Sequence, residues 1–260
     1  MALALAPKIP SVRDRVSDEE WQTRVDLAAC YRLVAHFGWI DSIYTHISAR
    51  VPGEEGAFLL NPYGFMFEEV TASSLVKVDF EGKILMDTPF EVNEAGFTIH
   101  SAVHMARHDV DCVIHTHTVS GMAVSAQADG LLPLTQNSMM FYGDHMAYHE
   151  YEGIALDLDE RSRLQADLGN RYAMILRNHG LLTCGRTIPE AFEIMQNLER
   201  ACEAQLSALA GGVKLTHPSG NVCAHTADQF WNYHANKPFG ERAWPAMLRL
   251  LDRNNPGYDA

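Results

Sequence analysis

The segment Val113-Ile114-His115-Thr116-His117-Thr118 places two histidines one residue apart at the end of an apolar run. In an extended chain, residues i and i+2 point to the same face, so a β-strand here would let both imidazoles reach one metal ion. A His-x-His pair in a chain with 13 histidines is more often a chance occurrence or a hydrogen-bonded surface pair. The pair therefore needs a further ligand before it indicates a metal site.

A third histidine occurs in a similar setting. His179 follows the short apolar run Met174-Ile175-Leu176 and precedes Gly180. Imidazoles from two strand ends would leave one side of a divalent cation open to substrate or water, as catalytic metal sites require. The sequence therefore predicts a metal site built from His115, His117 and His179.

Composition narrows the class of protein. A chain of 260 residues with 47% apolar content can bury the core of one sizeable domain. The net charge of −13, without clustered lysine or arginine, argues against nucleic acid as a partner. No apolar run approaches the roughly 18 to 20 residues of a membrane span. We expect a protein that acts on small molecules and has no membrane partner.

The chain reads as one domain with two peripheral segments. Residues 1–16 predict a flexible tail, because the apolar start is short and lacks the basic residues and cleavage pattern of a signal peptide. Residues 17–260 predict a single domain, with 212–260 as a C-terminal extension whose aromatic residues dock on the body or on a neighbouring subunit. Five widely spaced cysteines without a Cys-x-x-Cys pair fit reduced thiols, hence a cytoplasmic protein.

Helix signals and strand-like runs alternate along the chain. Ser17-Asp18-Glu19-Glu20 and Thr187-Ile188-Pro189-Glu190 are capping boxes followed by apolar residues at helical spacing. Turn pairs at Pro52-Gly53 and Glu81-Gly82 predict two hairpins. We expect helices at residues 18–37, 93–107, 119–128, 159–168 and 188–210, and strands at 43–50, 57–62, 75–79, 83–86, 111–115 and 172–176.

Three more histidines lie along the second predicted helix. His100, His104 and His108 recur every fourth residue, which could form a ladder of metal ligands. No carboxylate sits among them at ligand spacing. We therefore expect a helix with polar residues on a partly exposed face.

These motifs resemble the class II aldolase/adducin family over residues 21–209. The specific parts are His115-Thr116-His117, Arg177-Asn178-His179-Gly180-Leu181 and the helix that contains Glu190-Ala191-Phe192 and Leu198-Glu199-Arg200-Ala201-Cys202. Tyr44-Thr45-His46-Ile47-Ser48-Ala49-Arg50, Leu60-Asn61-Pro62-Tyr63-Gly64 and Asn93-Glu94-Ala95-Gly96-Phe97 are closest to the adducin-type sequences.

The resemblance implies an α/β protein with three α/β/α layers around a central, mostly antiparallel sheet. It also implies a divalent metal on the histidines that match His115, His117 and His179, with zinc first and manganese or iron as alternatives. Enzymes of the family are often fourfold-symmetric, so it implies a homotetramer.

Two departures from the sugar-phosphate aldolases bear on the reaction. Their Ser-Ser-Glu stretch, which binds phosphate and supplies a general acid/base, falls here on Glu94, Ala95 and Gly96. A sugar phosphate is therefore a poor candidate substrate, and the catalytic carboxylate is missing from its place. Glu94, two positions away, and Tyr142 are the candidates for the acid that returns the proton.

Four positions match substrate contacts of the aldolases: His46, Ser48, Asn61 and Gly64. Each has a structural alternative, such as a turn at Gly64 or a cap at Asn61 before proline. The leading hypothesis is a metal-dependent carbon–carbon lyase, aldolase or decarboxylase, for a non-phosphorylated hydroxy or oxo acid. The alternatives are an adducin-like interaction module without catalysis and an iron-dependent oxygenase on the same scaffold.

Overall fold

The computed structural model describes residues 9–154 and 157–260, and their centre is one seven-stranded sheet. The strands are β1 (His46–Arg50), β2 (Phe58–Leu60), β3 (Val76–Val78), β4 (Cys112–Thr116), β5 (Ala147–His149), β6 (Ala173–Leu176) and β7 (Gly180–Gly185). Their order in the sheet is β3-β2-β1-β4-β7-β6-β5. Neighbours are antiparallel except for β5 and β6, which are parallel.

Helices cover both faces of this sheet. They are α1 (Asp18–His36), α2 (Glu94–Ala106), α3 (Val119–Ser125), α4 (Gln136–Met139), α5 (Glu160–Leu168), α6 (Ile188–Ala210), α7 (Gly220–His234) and α8 (Trp244–Asn254). The larger core lies between the sheet and α1, α3 and α6, and a second core lies under α2 and α5. The predicted three-layer α/β/α architecture is confirmed.

Strand β4 lies in the middle of the sheet and sends alternate side chains to the two cores. Ile114 belongs to the core under α6, whereas Val113 belongs to the core under α2. His46 of β1 is the direct partner of His115, and Leu182 of β7 is its partner on the other side. The His-x-His pair is therefore held by strands on both sides.

The helix starts predicted from the capping residues are confirmed. Ser17 Oγ accepts from the Glu20 amide at 3.1 Å at the start of α1, and Thr187 Oγ1 accepts from the Glu190 amide at 3.2 Å at the start of α6. Each hydroxyl satisfies an amide that has no partner inside its helix. Thr118 caps α3 in the same way, accepting from the Gly121 amide at 3.0 Å.

The expectation of a partly exposed histidine face on α2 is wrong for two of its three members. His100 and His104 are fully buried, because α2 packs against β1. Ser48 Oγ lies 2.7 Å from His100 Nδ1 and 2.8 Å from His104 Nε2. Only His108, beyond the end of α2, is exposed as expected.

Peripheral segments differ in part from the sequence expectation. The second predicted hairpin is short: Ile84 pairs with Val78, and the Asp79 and Leu85 amides donate to the Lys83 and Lys77 carbonyls at 3.0 and 2.9 Å, but residues 83–86 do not form a continuous strand. Residues 1–8 of the predicted tail lie outside the described residues, and Val12 is buried with its amide 3.4 Å from Ser73 Oγ. Within the described residues, no helix is both long and apolar enough to cross a membrane.

The C-terminal helices fold back onto the body of the same chain. Trp231 of α7 donates its indole N–H to the Met140 carbonyl at 2.8 Å. Trp244 of α8 donates to Asp26 Oδ1 of α1, also at 2.8 Å. Trp244 is buried and Trp231 is half-buried, so these two indoles dock the C-terminal helices on the body of the chain.

Candidate metal centre

In two histidines of the site, His115 and His117, the Nδ1 atom is held by a hydrogen bond to a neighbouring oxygen. His115 Nδ1 lies 2.8 Å from the Leu181 carbonyl, and His117 Nδ1 lies 3.0 Å from Asp41 Oδ2. A carbonyl and a carboxylate only accept, so in the neutral form of each ring Nδ1 carries the hydrogen. Each Nε2 is then a lone pair, and the two Nε2 atoms are 2.8 Å apart. Facing lone pairs repel unless a cation or a proton lies between them, which fits a metal-binding pair.

His179 completes the group from the turn between β6 and β7. Its ring centroid is 4.8 Å from those of both His115 and His117. The ligand atoms of the three residues all lie within 4.8 Å of one another. Asn178 turns the chain with a positive φ of 55°. The three predicted ligands are therefore brought together, and imidazoles of this number and spacing can hold a divalent ion.

Gly180 permits the strands that carry these ligands to approach closely. A Cβ at this position would lie 2.3 Å from the Thr116 carbonyl oxygen on the neighbouring strand. Such a contact is far shorter than van der Waals distance, so β4 and β7 would have to move apart. The glycine next to His179 is thus a requirement of the packing rather than of a turn.

Burial keeps the histidines in the form that binds metals. Desolvation, with the neighbouring His179 and His117 imidazoles, holds the pKa of His115 well below its usual value. Desolvation first, and then the imidazole of His117, lower the pKa of His179 to about 4. Both rings are neutral at pH 7, so no proton has to leave them before an ion binds.

A cavity of about 440 Å³ opens beside the three histidines. It is polar at its base, where the histidines lie, and apolar towards Met122, Tyr151 and Ile154. Among the described residues, no lysine or arginine lines it. The remaining lining residues are Asp41, Tyr44, Thr45, His46, Asn93, Gly96, Ile99, Gly153 and Asn178.

Two buried polar side chains of this lining lack partners in the part of the chain that the structure describes. His46 is 6% exposed and neither ring nitrogen has a hydrogen bond; Thr45 is 1% exposed and its Oγ1 has none. Burial lowers the pKa of His46 to about 3, with a smaller contribution from His117. Thr45 also has a positive φ of 68°, a strained conformation for a β-branched residue. Such groups are suited to hydrogen-bonding a ligand in the cavity.

His46 occupies the space that a side chain at position 96 would need. A Cβ on Gly96 would lie 2.1 Å from His46 Nδ1 and 2.3 Å from its Cγ. The resemblance places the aldolase carboxylate at this position. An imidazole from β1 therefore fills the volume next to the metal ligands where that carboxylate side chain would start.

The other predicted substrate contacts are not brought to the cavity. Ser48 is buried between His100 and His104, and Asn61 is buried with Oδ1 2.9 Å from the Tyr31 hydroxyl. Gly64 is exposed in a turn, with a positive φ of 92° that explains the glycine.

The two predicted acids have different positions. Tyr142 is half-buried near Gly220, at the start of α7, and is not among the residues that line the cavity. Glu94 is the first residue of α2, directly after Asn93 of the cavity wall, and its side chain lies outside the described residues.

Sequence reasoning missed Asp41, Thr45 and the loop with Tyr151 and Ile154. Asp41 has no ligand-like spacing to His117, since 76 residues separate them. The only sequence feature that could have indicated Thr45 as a site residue is its position next to His46, a predicted substrate contact. The loop had a weak aromatic pattern that does not distinguish a cavity wall from surface residues.

Comparison with known proteins gives a consistent picture. Residues 25–206 match the family model of the class II aldolase and adducin N-terminal domain. A Pseudomonas aeruginosa protein with a provisional class 2 aldolase name is 58% identical, over 95% of both chains. Mouse alpha-adducin is 48% identical over 90% of this chain but only 33% of its own length. The crystal structure of an aldolase II superfamily protein from Pseudomonas syringae superimposes with a TM-score of 0.91, at 52% identity, over 96% of this chain and all of that one.

Proposed function

Because this chain belongs to the class II aldolase and adducin family, we propose that it is a divalent-metal-dependent carbon–carbon lyase. The observation that carries the proposal is the convergence of His115, His117 and His179, with the Nδ1 atoms of the first two tied back. An interaction module would not need three buried or half-buried imidazoles aimed at one point. The reaction is an aldol cleavage or a decarboxylation, since both leave negative charge next to a carbonyl or carboxylate oxygen.

Separate residues would bind the metal, bind the substrate and return the proton. His115, His117 and His179 hold the metal, with zinc as first choice for three imidazoles and manganese or iron as alternatives. The bound ion would supply a Lewis acid that polarises a substrate oxygen. His46, which pairs with His115 across β1 and β4, hydrogen-bonds the substrate next to the metal ligands. Glu94 is preferred over Tyr142 for returning the proton, because α2 begins at the cavity wall.

A non-phosphorylated hydroxy or oxo acid suits the charge of the cavity. A phosphate dianion is usually held by lysine, arginine or a row of backbone amides, and no such cation lines the described part of the cavity. A single carboxylate next to a hydroxyl or keto oxygen can instead be neutralised by the metal. The apolar mouth at Tyr151 and Ile154 would hold the rest of a small molecule.

We also propose that the protein is a cytoplasmic homotetramer. Val119 and Ile154 are 79% and 77% exposed, and Tyr151 is 55% exposed. Tyr151 and Ile154 line the cavity, whereas Val119 begins α3. Exposed large apolar side chains of this kind would be covered by contacts between copies of the chain. All five cysteines are free and buried, which suits a reducing compartment.

The adducin relationship supports a second candidate, an interaction module without catalysis. Mouse alpha-adducin is 48% identical over most of this chain. Cytoskeletal adducins resemble this chain over the same span but lack a complete histidine triad. Metal content separates the two candidates, because a module of that kind has no reason to bind a stoichiometric ion through these residues.

The native protein is expected to bind one divalent ion per chain, and His115→Ala is expected to lose it. Metal content of the purified full-length protein, measured by mass spectrometry, checks this. His108→Ala is the matched control, because His108 is exposed and lies outside the cavity. A native protein without a stoichiometric ion would refute the proposal.

Turnover assays then identify the reaction. Release of carbon dioxide or an aldehyde from a panel of hydroxy and oxo acids would separate decarboxylase from aldolase. Oxygen uptake with ferrous ion would instead identify the iron-dependent oxygenase.

A further inference from the structure

Glu199 is a fully buried carboxylate on the opposite face of the sheet from the cavity. It belongs to α6, and both of its oxygens are engaged. Oε1 accepts from Thr116 Oγ1 at 2.7 Å, and Oε2 accepts from Thr118 Oγ1 at 2.7 Å and from Ser120 Oγ at 3.4 Å. One side chain thus joins the last residue of β4 to the first turn of α3.

The two threonines are the neighbours of His117. Thr116 precedes it in β4, and Thr118 follows it as the cap of α3. The imidazole of His117 is fixed separately, through its Nδ1, by Asp41. Glu199 therefore holds the backbone on both sides of His117, whereas Asp41 orients only the ring.

The chemistry of Glu199 is costly for a purely structural brace. Its hydrogen-bond donors are hydroxyls, and no lysine or arginine in the described part of the chain forms an ion pair with it. Removing a carboxylate from water without a cation reduces stability. A glutamine could satisfy the same hydroxyls without this charge. Burial raises the pKa of the Glu199 carboxyl, and the hydrogen bonds from Thr116 and Thr118 act in the opposite direction. In its ionised form the side chain favours a cation bound beyond β4.

We propose that Glu199 is a positioning residue for the metal centre. It fixes the backbone of residues 116–118, and its charge favours the ion held by His115, His117 and His179. The proposal rests on the metal-binding part of the proposed function and does not depend on which reaction is catalysed. Groups that orient ligands in this way usually account for 10- to 100-fold in metal affinity.

The test is zinc affinity, measured by competition with a chromophoric chelator, in the full chain and in Glu199→Gln and Glu199→Ala. We expect Glu199→Ala to bind zinc about 10- to 100-fold more weakly. Glu199→Gln should keep the hydroxyl contacts and lose only the contribution of the charge, so its loss should be smaller but measurable. Thr118→Ser, which keeps the hydroxyl, should retain most of the native affinity.

Glu190→Gln is the matched control for lost stability. Glu190 lies on the same helix, is 1% exposed and forms an ion pair with Arg186 away from the cavity. It should lower the melting temperature without changing zinc affinity. If the Glu199 variants lower only the melting temperature and bind zinc within twofold of the native chain, Glu199 is a structural brace and the proposal is wrong. Should Glu199→Ala not fold, Glu199→Gln decides alone.

The outcome is distinguishable from failure of the proposed function. A native chain that binds zinc through His115, with unchanged affinity in the Glu199 variants, overturns this inference alone. A native chain that binds no zinc overturns both.

Discussion

Gly96→Ala is expected to destabilise the fold by about 3 kcal/mol, at the upper end of the usual cost of overpacking a core. The direction is the opposite of what helix propensity gives, since alanine in a helix is about 1 kcal/mol better than glycine. The new methyl group would overlap the base of the His46 ring, 2.1 to 2.3 Å away. The His46 ring extends from β1 and is buried against α2, so it cannot rotate into solvent to avoid the new methyl group. Urea denaturation at neutral pH measures the loss.

The double variant His46→Ala/Gly96→Ala tests the cause. Alanine at position 46 vacates the space, so adding Gly96→Ala to His46→Ala should cost little or even stabilise. Gly211→Ala is a control at the end of α6, where the added methyl would have nothing nearer than 4.0 Å and the φ is negative. A Gly96→Ala protein as stable as the native one would show that His46 does not occupy this space.

The metal ligands could be predicted from the sequence because the rule that places them is local. Residues i and i+2 of a strand share a face, which puts His115 and His117 together without knowledge of the fold. His179 could be added only as a strand-end histidine beside a glycine. His179 lies close to His115 and His117 only because β7 is next to β4 in the sheet. The same strand pairing brings the Leu181 carbonyl within hydrogen-bond distance of His115 Nδ1. Residue spacing could not give that strand pairing, and the resemblance to a family supported the three-histidine site by matching His179 to a metal ligand.

The surroundings of the metal ligands were harder to predict, because they depend on contacts between distant segments. Helical spacing places His100 and His104 on one face of α2, but it does not say what covers that face. Ser48 covers it because β1, more than 50 residues earlier, lies between β2 and β4. Glu199 similarly reads as one polar residue in an apolar stripe until Thr116 is placed beneath it.

The transfer of substrate contacts from aldolases shows a related limit. A matching position fixes where a residue lies on the backbone, but the neighbouring side chains decide what it can touch. His46 reaches the cavity because position 96 has no side chain. Ser48, two residues along the same strand, points to the same face and is covered by two histidines of α2. Glycine in place of the aldolase carboxylate at position 96 therefore leaves room for His46 of β1 to reach the cavity.

Buried neutral histidines also predict a strong acid sensitivity of the fold. Burial, with minor contributions from His46 and His104, holds the pKa of His100 well below its usual value. Burial, with a smaller effect of Arg50, lowers the pKa of His104 to about 3. Below about pH 6.5 the unfolded chain protonates both residues, whereas the folded chain does not. The contribution of these two neutral histidines to the free energy of unfolding is therefore fully present above pH 6.5. It is lost progressively as the pH is lowered towards 3.

The free energy of unfolding is expected to fall by about 1.4 kcal/mol per pH unit for each histidine, or by about 3 kcal/mol for the two. Two pH units would thus remove a free energy comparable to the whole stability of many domains. His46, His115 and His179 also have lowered pKa values in the folded chain, so the informative quantity is the difference between variants. Urea denaturation from pH 7 to pH 4.5 should show a slope reduced by about 1.4 kcal/mol per unit in His104→Gln and by about twice that in His100→Gln/His104→Gln.

His108→Gln is the control for this slope, because His108 lies just beyond the same helix and is exposed. It should leave the pH dependence unchanged. Glutamine at position 104 can still hydrogen-bond Ser48, so the variant should fold at pH 7 and reveal the missing proton uptake directly. A His104→Gln protein with the native slope would mean that His104 takes up its proton in the folded state, through an opening of α2 from β1 that admits water to the Ser48 contact.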